Sequence, residues 1–148
     1  TIERIAGKAV PYLFQEYIFS PLGMSTAYSD NTYGGLYCSS IDLAKFGQLL
    51  LNKGTYNGYK LFSQQTFEKM LPKKLMIGDR SWGIGTSTVE GNGLSDKAFG
   101  HGAASGTVFI IDPKNDLIII SARNNPGKSH DEFESALIKL CTSLVNNQ

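Results

Sequence analysis

The segment from Phe99 to Asp112 constrains the fold of this chain most. Phe99-Gly100-His101-Gly102 leads through Ala103-Ala104-Ser105-Gly106 into the apolar run Thr107-Val108-Phe109-Ile110-Ile111-Asp112. A glycine-flanked histidine opening a strand, followed by a run of β-branched and aromatic residues, reads as a strand that walls an active site. Pro113-Lys114-Asn115-Asp116 is a turn, and Leu117 to Ala122 reads as the second arm of a hairpin. The glycines on both sides of His101 remove side chains, so a ligand can approach the backbone closely.

The apolar period divides the chain in two. Before residue 75 it is helical. Pro11 suits the first position of a helix running to about Phe19, which Ser20-Pro21-Leu22-Gly23 breaks. Ser39 and Ser40 can cap a helix whose Leu43, Phe46, Leu49 and Leu50 face one way, and Gly54 ends it. Tyr56-Asn57-Gly58-Tyr59 is a tight turn. Ser63 caps a helix through Met70, and Pro72 stops it. From residue 80 the period is that of strands, over Ser81 to Val89, Phe99 to Gly102, Thr107 to Asp112 and Leu117 to Ala122. Asp131 to Val145 closes the chain as a helix, with Ser129 and Glu132 as a capping box. Its Phe133, Ala136, Leu137, Leu140, Cys141 and Leu144 form a stripe expected to lie on the antiparallel sheet. The reading is one α+β domain over residues 1–148, with 1–75 mostly helical and 80–148 strands and a C-terminal helix.

Several chemistries lack their residues. The net charge of +1 provides no footprint for nucleic acid or an anionic membrane. Apolar runs such as Leu117 to Ile120 are too short to span a bilayer. There is no phosphate loop, no Rossmann glycine spacing and no Gly-x-Ser-x-Gly elbow. Cys38 and Cys141 could bridge, but nothing demands it, and they read as free buried thiols; no Cys/His set has zinc spacing, and nothing calls for a metal or organic cofactor. His130 reads as a surface residue beside the last helix.

Seven motifs then occur in order. They are Pro21-Leu22-Gly23-Met24, Gly34-Gly35-Leu36, Asp42-Leu43-Ala44-Lys45-Phe46, Asn57-Gly58-Tyr59-Lys60-Leu61, Trp82-Gly83-Ile84-Gly85, Gly100-His101-Gly102 and Asp112-Pro113. Together they resemble the class C β-lactamase-like branch of the penicillin-recognising serine hydrolases. That branch includes β-lactamases, D-alanyl-D-alanine carboxypeptidases and esterases. The likeness runs from about Ile2 to the last helix. It implies the C-terminal strands, closing helix and part of the helical lobe of a β-lactamase/transpeptidase-like fold.

The family resemblance implies an acyl-enzyme route: a Ser-x-x-Lys serine attacks a carbonyl, aided by its lysine and a Tyr-x-Asn tyrosine, opposite a Lys-Thr-Gly or His-x-Gly wall. His101-Gly102-Ala103 corresponds to that wall. By the match His101 is the catalytic contact, and the Ala104 N–H is one oxyanion donor. Gly102, Ala103, Ser105 and Asn124 are substrate contacts, and the Ala103–Gly106 stretch is a strand that pairs with the substrate amide. Substrates would be β-lactams, D-alanyl peptides or esters, met in the periplasm or outside the cell. The chain departs from the family at Ala103, where glycine is usual. None of its lysines follows a serine by three positions, and no tyrosine begins Tyr-x-Asn. Ser29-Asp30-Asn31 spells a second-motif string, but it comes after Pro-Leu-Gly-Met and reads as a loop. The expectation is that the nucleophile lies upstream of Thr1, that these residues are inert alone, and that an open sheet edge favours self-association. A non-catalytic binding module on the same fold, and an enzyme complete in these residues, remain as alternatives.

Overall fold

The computed structural model describes residues 2–32, 34–73 and 81–146. Helix α1 (Ile2–Ala6) precedes α2 (Val10–Phe14), which widens into a π-helical turn over Gln15–Phe19. Val10, not Pro11, is the first helical residue. Strands β1 (Tyr28–Ser29) and β2 (Leu36–Tyr37) form a hairpin ahead of α3 (Ser40–Leu51). A second hairpin, β3 (Thr55–Tyr56) with β4 (Tyr59–Lys60), precedes α4 (Gln64–Met70). Four antiparallel strands follow in spatial order: β5 (Ser87–Thr88), β6 (Phe99–Gly102), β7 (Val108–Asp112) and β8 (Leu117–Ser121). Helix α5 (His130–Asn146) closes the chain.

Local chemistry sets most of these boundaries. The Ser39 side chain accepts a hydrogen bond from the Asp42 N–H at 3.2 Å, and Ser63 accepts one from Thr66 N–H at 3.1 Å, so both N-caps satisfy an orphan donor. Gly54 sits at φ 101°, and a Cβ there would lie 2.4 Å from the Phe62 carbonyl oxygen. Asn57 and Gly58 are both at positive φ, as a two-residue turn of this hand requires.

All five residues of β7 are buried, which accounts for its unbroken apolar sequence. Alternation sends its side chains both ways. Phe109 and Ile111 join Leu50, Phe67 and Phe99 in a core shared with α3 and α4. Val108 and Ile110 join Ile119 and Ile138 beneath α5. The sheet is therefore a middle layer between the helical lobe and the closing helix.

Two sequence expectations need correction here. Only Ser87–Thr88 of the Ser81–Val89 stretch is a strand, with an isolated bridge from Trp82 to Ser87. The Gly83 N–H donates to the Thr86 carbonyl at 2.8 Å and Gly85 takes φ 75°, so the chain doubles back within the motif. The apolar stripe of α5 is the second. Leu137 and Cys141 of the stripe pack with the buried Ile138 against Val108, Ile110 and Ile119, as expected, whereas Phe133, Ala136, Leu140 and Leu144 are exposed. Only part of the stripe therefore faces the sheet, and beside it the buried Thr142 hydroxyl donates to the Asn92 carbonyl at 2.7 Å.

The Pro21-Leu22-Gly23-Met24 and Asp42-to-Phe46 motifs meet in one network. The buried Asp42 carboxylate accepts from the Thr26 N–H at 2.7 Å, from the Thr26 hydroxyl at 2.6 Å and from the Lys45 ammonium at 2.7 Å. Lys45 also donates to the Gly23 carbonyl. The Lys45 hydrogen bond, then those from Thr26, lower the Asp42 pKa from 3.8 to about 2. A depressed carboxylate stabilises the fold above its unfolded pKa and loses that contribution as pH falls through the folded value. Thermal melts are therefore expected to show Tm falling between about pH 4 and pH 2. Asp42→Asn should lower Tm at neutral pH and flatten that slope; an unchanged slope would remove Asp42 from the account.

Candidate functional site

The site is built at one end of the sheet. Strands β6 and β8 both run antiparallel to β7, so both finish at the same end. His101 is registered opposite Phe109 and Gly102 opposite Val108. Cross-strand partners share a face, so His101 lies on the face of Phe109. The Phe109 ring packs on Phe46 of α3 at 6.2 Å between centroids. The His101 imidazole therefore stands on the helical-lobe face and is exposed there.

Glycines clear the strand around it. A Cβ on Gly100 would lie 2.2 Å from the Phe109 carbonyl oxygen, so no side chain fits at this crossing. A Cβ on Gly102 would meet nothing within 4 Å, which leaves the strand end open. A cavity of 470 Å³ includes Gly100, His101 and Gly102 in its lining, together with Ser87 and residues of α5. A second, apolar cavity of 280 Å³ lies in the helical lobe, and Phe46 borders it.

The Ala103–Gly106 stretch is a tight turn, not the expected strand. Ala103 N–H donates to the Thr107 carbonyl at 3.1 Å, and Gly106 N–H donates to the Ala103 carbonyl at 2.8 Å. Ala104 and Ser105 are thus the central turn residues, with their N–H groups outside those two bonds. The turn forms because Gly106 takes φ 79° and lets Pro126 close in; a Cβ at Gly106 would sit 2.5 Å from the Pro126 Cα. Ala103 is not among the positive-φ residues, so alanine in place of the usual glycine costs no backbone strain.

The Asn124 loop is tied to the same turn. Ser105 Oγ and Thr107 Oγ1 are 3.0 Å apart. Thr107 Oγ1 donates to the Arg123 carbonyl and accepts from the Arg123 N–H, both at 3.3 Å. Asn124 follows directly and is exposed. The fold thus gathers His101, Gly102, Ala103, Ala104, Ser105 and Asn124 at one sheet end. Thr107 went unnoticed in the sequence; a hydroxyl residue opening a strand after a glycine turn was its only signal. Ser29-Asp30-Asn31 lies elsewhere, running from the last residue of β1 into the β1–β2 loop, where Asn31 Oδ1 accepts from the Gly34 N–H at 2.8 Å. His130 opens α5 and is partly buried rather than on the surface, with Nε2 3.5 Å from a Glu134 carboxylate oxygen. Cys38 and Cys141 are free and partly buried, and burial followed by the Asp42 charge raises the Cys38 pKa.

The chemistry open to this arrangement is specific. An imidazole near neutral pH both donates and accepts hydrogen bonds. Backbone N–H groups at a turn can face a developing oxyanion. The exposed end of β6 offers an extended ligand a strand to pair with.

No family model matches the chain. It is 29% identical over 126 residues to an Escherichia coli O157:H7 protein provisionally named a D-alanyl-D-alanine carboxypeptidase, a match covering 74% of this chain and 28% of that protein. A solved Bacillus anthracis protein, provisionally a 6-aminohexanoate-dimer hydrolase, superposes with TM-score 0.80 at 27% identity, over 98% of this chain and 41% of its own. A Mycobacterium bovis β-lactamase structure gives TM-score 0.72 at 22% identity, over 99% of this chain and 57% of its own. The chain thus spans about half the length of these solved structures and about a quarter of the curated relative.

Proposed function

We propose, from the premise that this chain is similar in sequence and fold to part of the β-lactamase-like serine hydrolases, that it supplies one wall of an acyl-enzyme cleft. The observation that carries the reading is the placement of His101 on the helical-lobe face, beside the Ala103–Gly106 turn and the Asn124 loop. In this reading His101 joins the proton network around the substrate. The Ala104 N–H donates to the oxyanion of the tetrahedral intermediate. Gly102, Ala103, Ser105 and Asn124 line the substrate, an ester, a β-lactam or a D-alanyl peptide. The attacking serine and its lysine come from residues outside these 148, and the chain alone does not turn over substrate. The protein works outside the cytoplasmic membrane, where peptides of the cell wall are met. Among the described residues no helix is long and apolar enough to cross a membrane.

The test is a fluorophosphonate or fluorescent penicillin probe, applied to this chain and to the longer gene product. Labelling of the longer protein alone, at a Ser-x-x-Lys serine, is the expected result. Labelling of the 148-residue chain, abolished by changing one of its own serines, would overturn it. The absence of Ser-x-x-Lys within the chain keeps a second reading, a binding module without turnover. That reading predicts ligand binding sensitive to His101→Ala and no labelling of either protein.

A further inference from the structure

We propose that the space between β6 and α5 is a subsite for an organic ammonium group, carried on one arm of the substrate; the word substrate here rests on the acyl-enzyme reading. The space comes from where the glycines fall. Gly100 is registered opposite Ile110, and Gly102 opposite Val108. Cross-strand partners share a face, so both glycines lie on the α5 face, where Val108 and Ile110 pack with Ile138. Strand β6 thus carries no side chain at two alternate positions on that face, and the 470 Å³ cavity occupies the gap. Small-molecule sites span about 300–1,000 Å³. Every lining residue falls between Ser87 and Ile138, on the β5 to β7 side of the sheet and on α5.

The lining has one sign of charge. Glu90 follows β5, Asp131 and Glu134 belong to α5, and no lysine or arginine lines the space. Glu90 and Asp131 have no hydrogen-bond or ion-pair partner among the described residues. Glu134 stands 3.5 Å from His130 Nε2. The N-terminus of α5 contributes about half a positive charge, and a protonated His130 adds one more. Three carboxylates outweigh both, so the cavity favours a cation.

A buried hydroxyl is the independent sign of a ligand. Ser87 is registered opposite Gly100, so its side chain shares the α5 face. It is 7% exposed and borders the cavity, yet its hydroxyl has no hydrogen-bond partner among the described residues. Leaving such a group unpaired costs free energy, which a ligand N–H donating to the oxygen would remove. An ammonium has three donors, enough for Ser87 and two carboxylates together. A bare metal ion fits less well: among the described residues no three acidic, histidine or cysteine side chains are grouped to hold one. His101 sits between the two glycines and borders the same cavity, so a short alkyl arm links the ammonium to the proposed reacting centre.

An NMR titration of the 148-residue chain tests the subsite, with n-pentylammonium as probe and 1-pentanol as its neutral counterpart. The amine should shift the amides of Ser87, Gly100 and Ser135 and bind about tenfold more tightly than the alcohol, the low end of cation enrichment in a cleft of one charge sign. Glu90→Gln, and separately Asp131→Asn with Glu134→Gln, should each bring the amine toward the alcohol while the remaining amide spectrum stays folded. Ser87→Ala should weaken the amine as well. Glu132→Gln, on the same first turn of α5 but outside the cavity, should change nothing. Equal affinity for the two probes, amide shifts confined to other parts of the chain, or amine binding untouched by the Gln and Asn variants would each overturn the subsite. The serine probe reads the acyl-enzyme step separately. Ammonium binding without labelling of the longer protein keeps the subsite and overturns the acyl-enzyme reading; labelling without ammonium binding does the reverse.

Discussion

Replacing Asp112 with alanine is expected to destabilise the chain by about 4 kcal/mol, from several charge-assisted hydrogen bonds each contributing about 1.5–3 kcal/mol. Asp112 is fully buried at the end of β7. Its carboxylate accepts from the Ser95 N–H at 2.8 Å, the Ser95 hydroxyl at 2.5 Å and the Asn115 side-chain amide at 2.8 Å. The Lys114 and Asn115 N–H groups reach it at 3.3 and 3.4 Å. One side chain therefore closes the β7–β8 turn and pins the loop leading into β6. Alanine strands these donors and opens a void among them. Domains of this size hold only about 5–15 kcal/mol in all, so the variant should lose much of its cooperative transition. Urea unfolding followed by circular dichroism measures the loss. Asp112→Asn keeps one acceptor oxygen and should fall between wild type and alanine. A loss below about 1 kcal/mol for alanine would mean that the donors find water instead.

The largest expected effect on activity is at His101. On the proposed reading, in which the nucleophile lies outside these 148 residues, His101→Ala in a protein that carries both parts should lower kcat by about 10²–10⁴, the usual contribution of a positioned proton-transfer group. The fold should survive, because the imidazole is exposed. If KM alone rises while kcat stays as it was, His101 is a binding contact only. That outcome favours the module without turnover.

These expectations draw unevenly on sequence and tertiary structure. The Ser39 and Ser63 caps, the Asn57-Gly58 turn and the bounds of β6 were legible because each is governed by backbone geometry within a few residues. The buried run of β7 was legible for a related reason: only a strand covered on both faces carries apolar residues without alternation. The likeness to β-lactamase-like hydrolases was legible as an ordered set of short motifs. The structure explains why two of them have the residues they do: Asp42 and Asp112 are buried carboxylates that hold distant segments together.

Elsewhere the sequence had no way to choose. The apolar positions of α5 fit a helix, but which of them meet the sheet was decided by packing of Leu137, Ile138 and Cys141 on Val108, Ile110 and Ile119, with Thr142 bonded to the Asn92 carbonyl fifty residues away. The Ser81–Val89 stretch has strand-forming residues, yet Ile84 N–H bonds the Met70 carbonyl at 2.9 Å and folds the motif back on the helical lobe. The run from Ala103 to Gly106 alternates poorly enough to be strand or turn, and Pro126 settled it by closing on Gly106.

By itself the sequence determined the α+β class, the hairpin of β7 and β8, the glycine-framed His101 and the family likeness. All of these rest on local propensity or on contiguous motifs. Only the tertiary structure decided that His101 faces the helical lobe, that Asn124 reaches the same sheet end through Thr107, and which side of α5 is left bare. The physical reason is the same in each case. Register and facing are set by contacts between residues far apart in the chain, and a strand's two faces are interchangeable until a partner covers one of them.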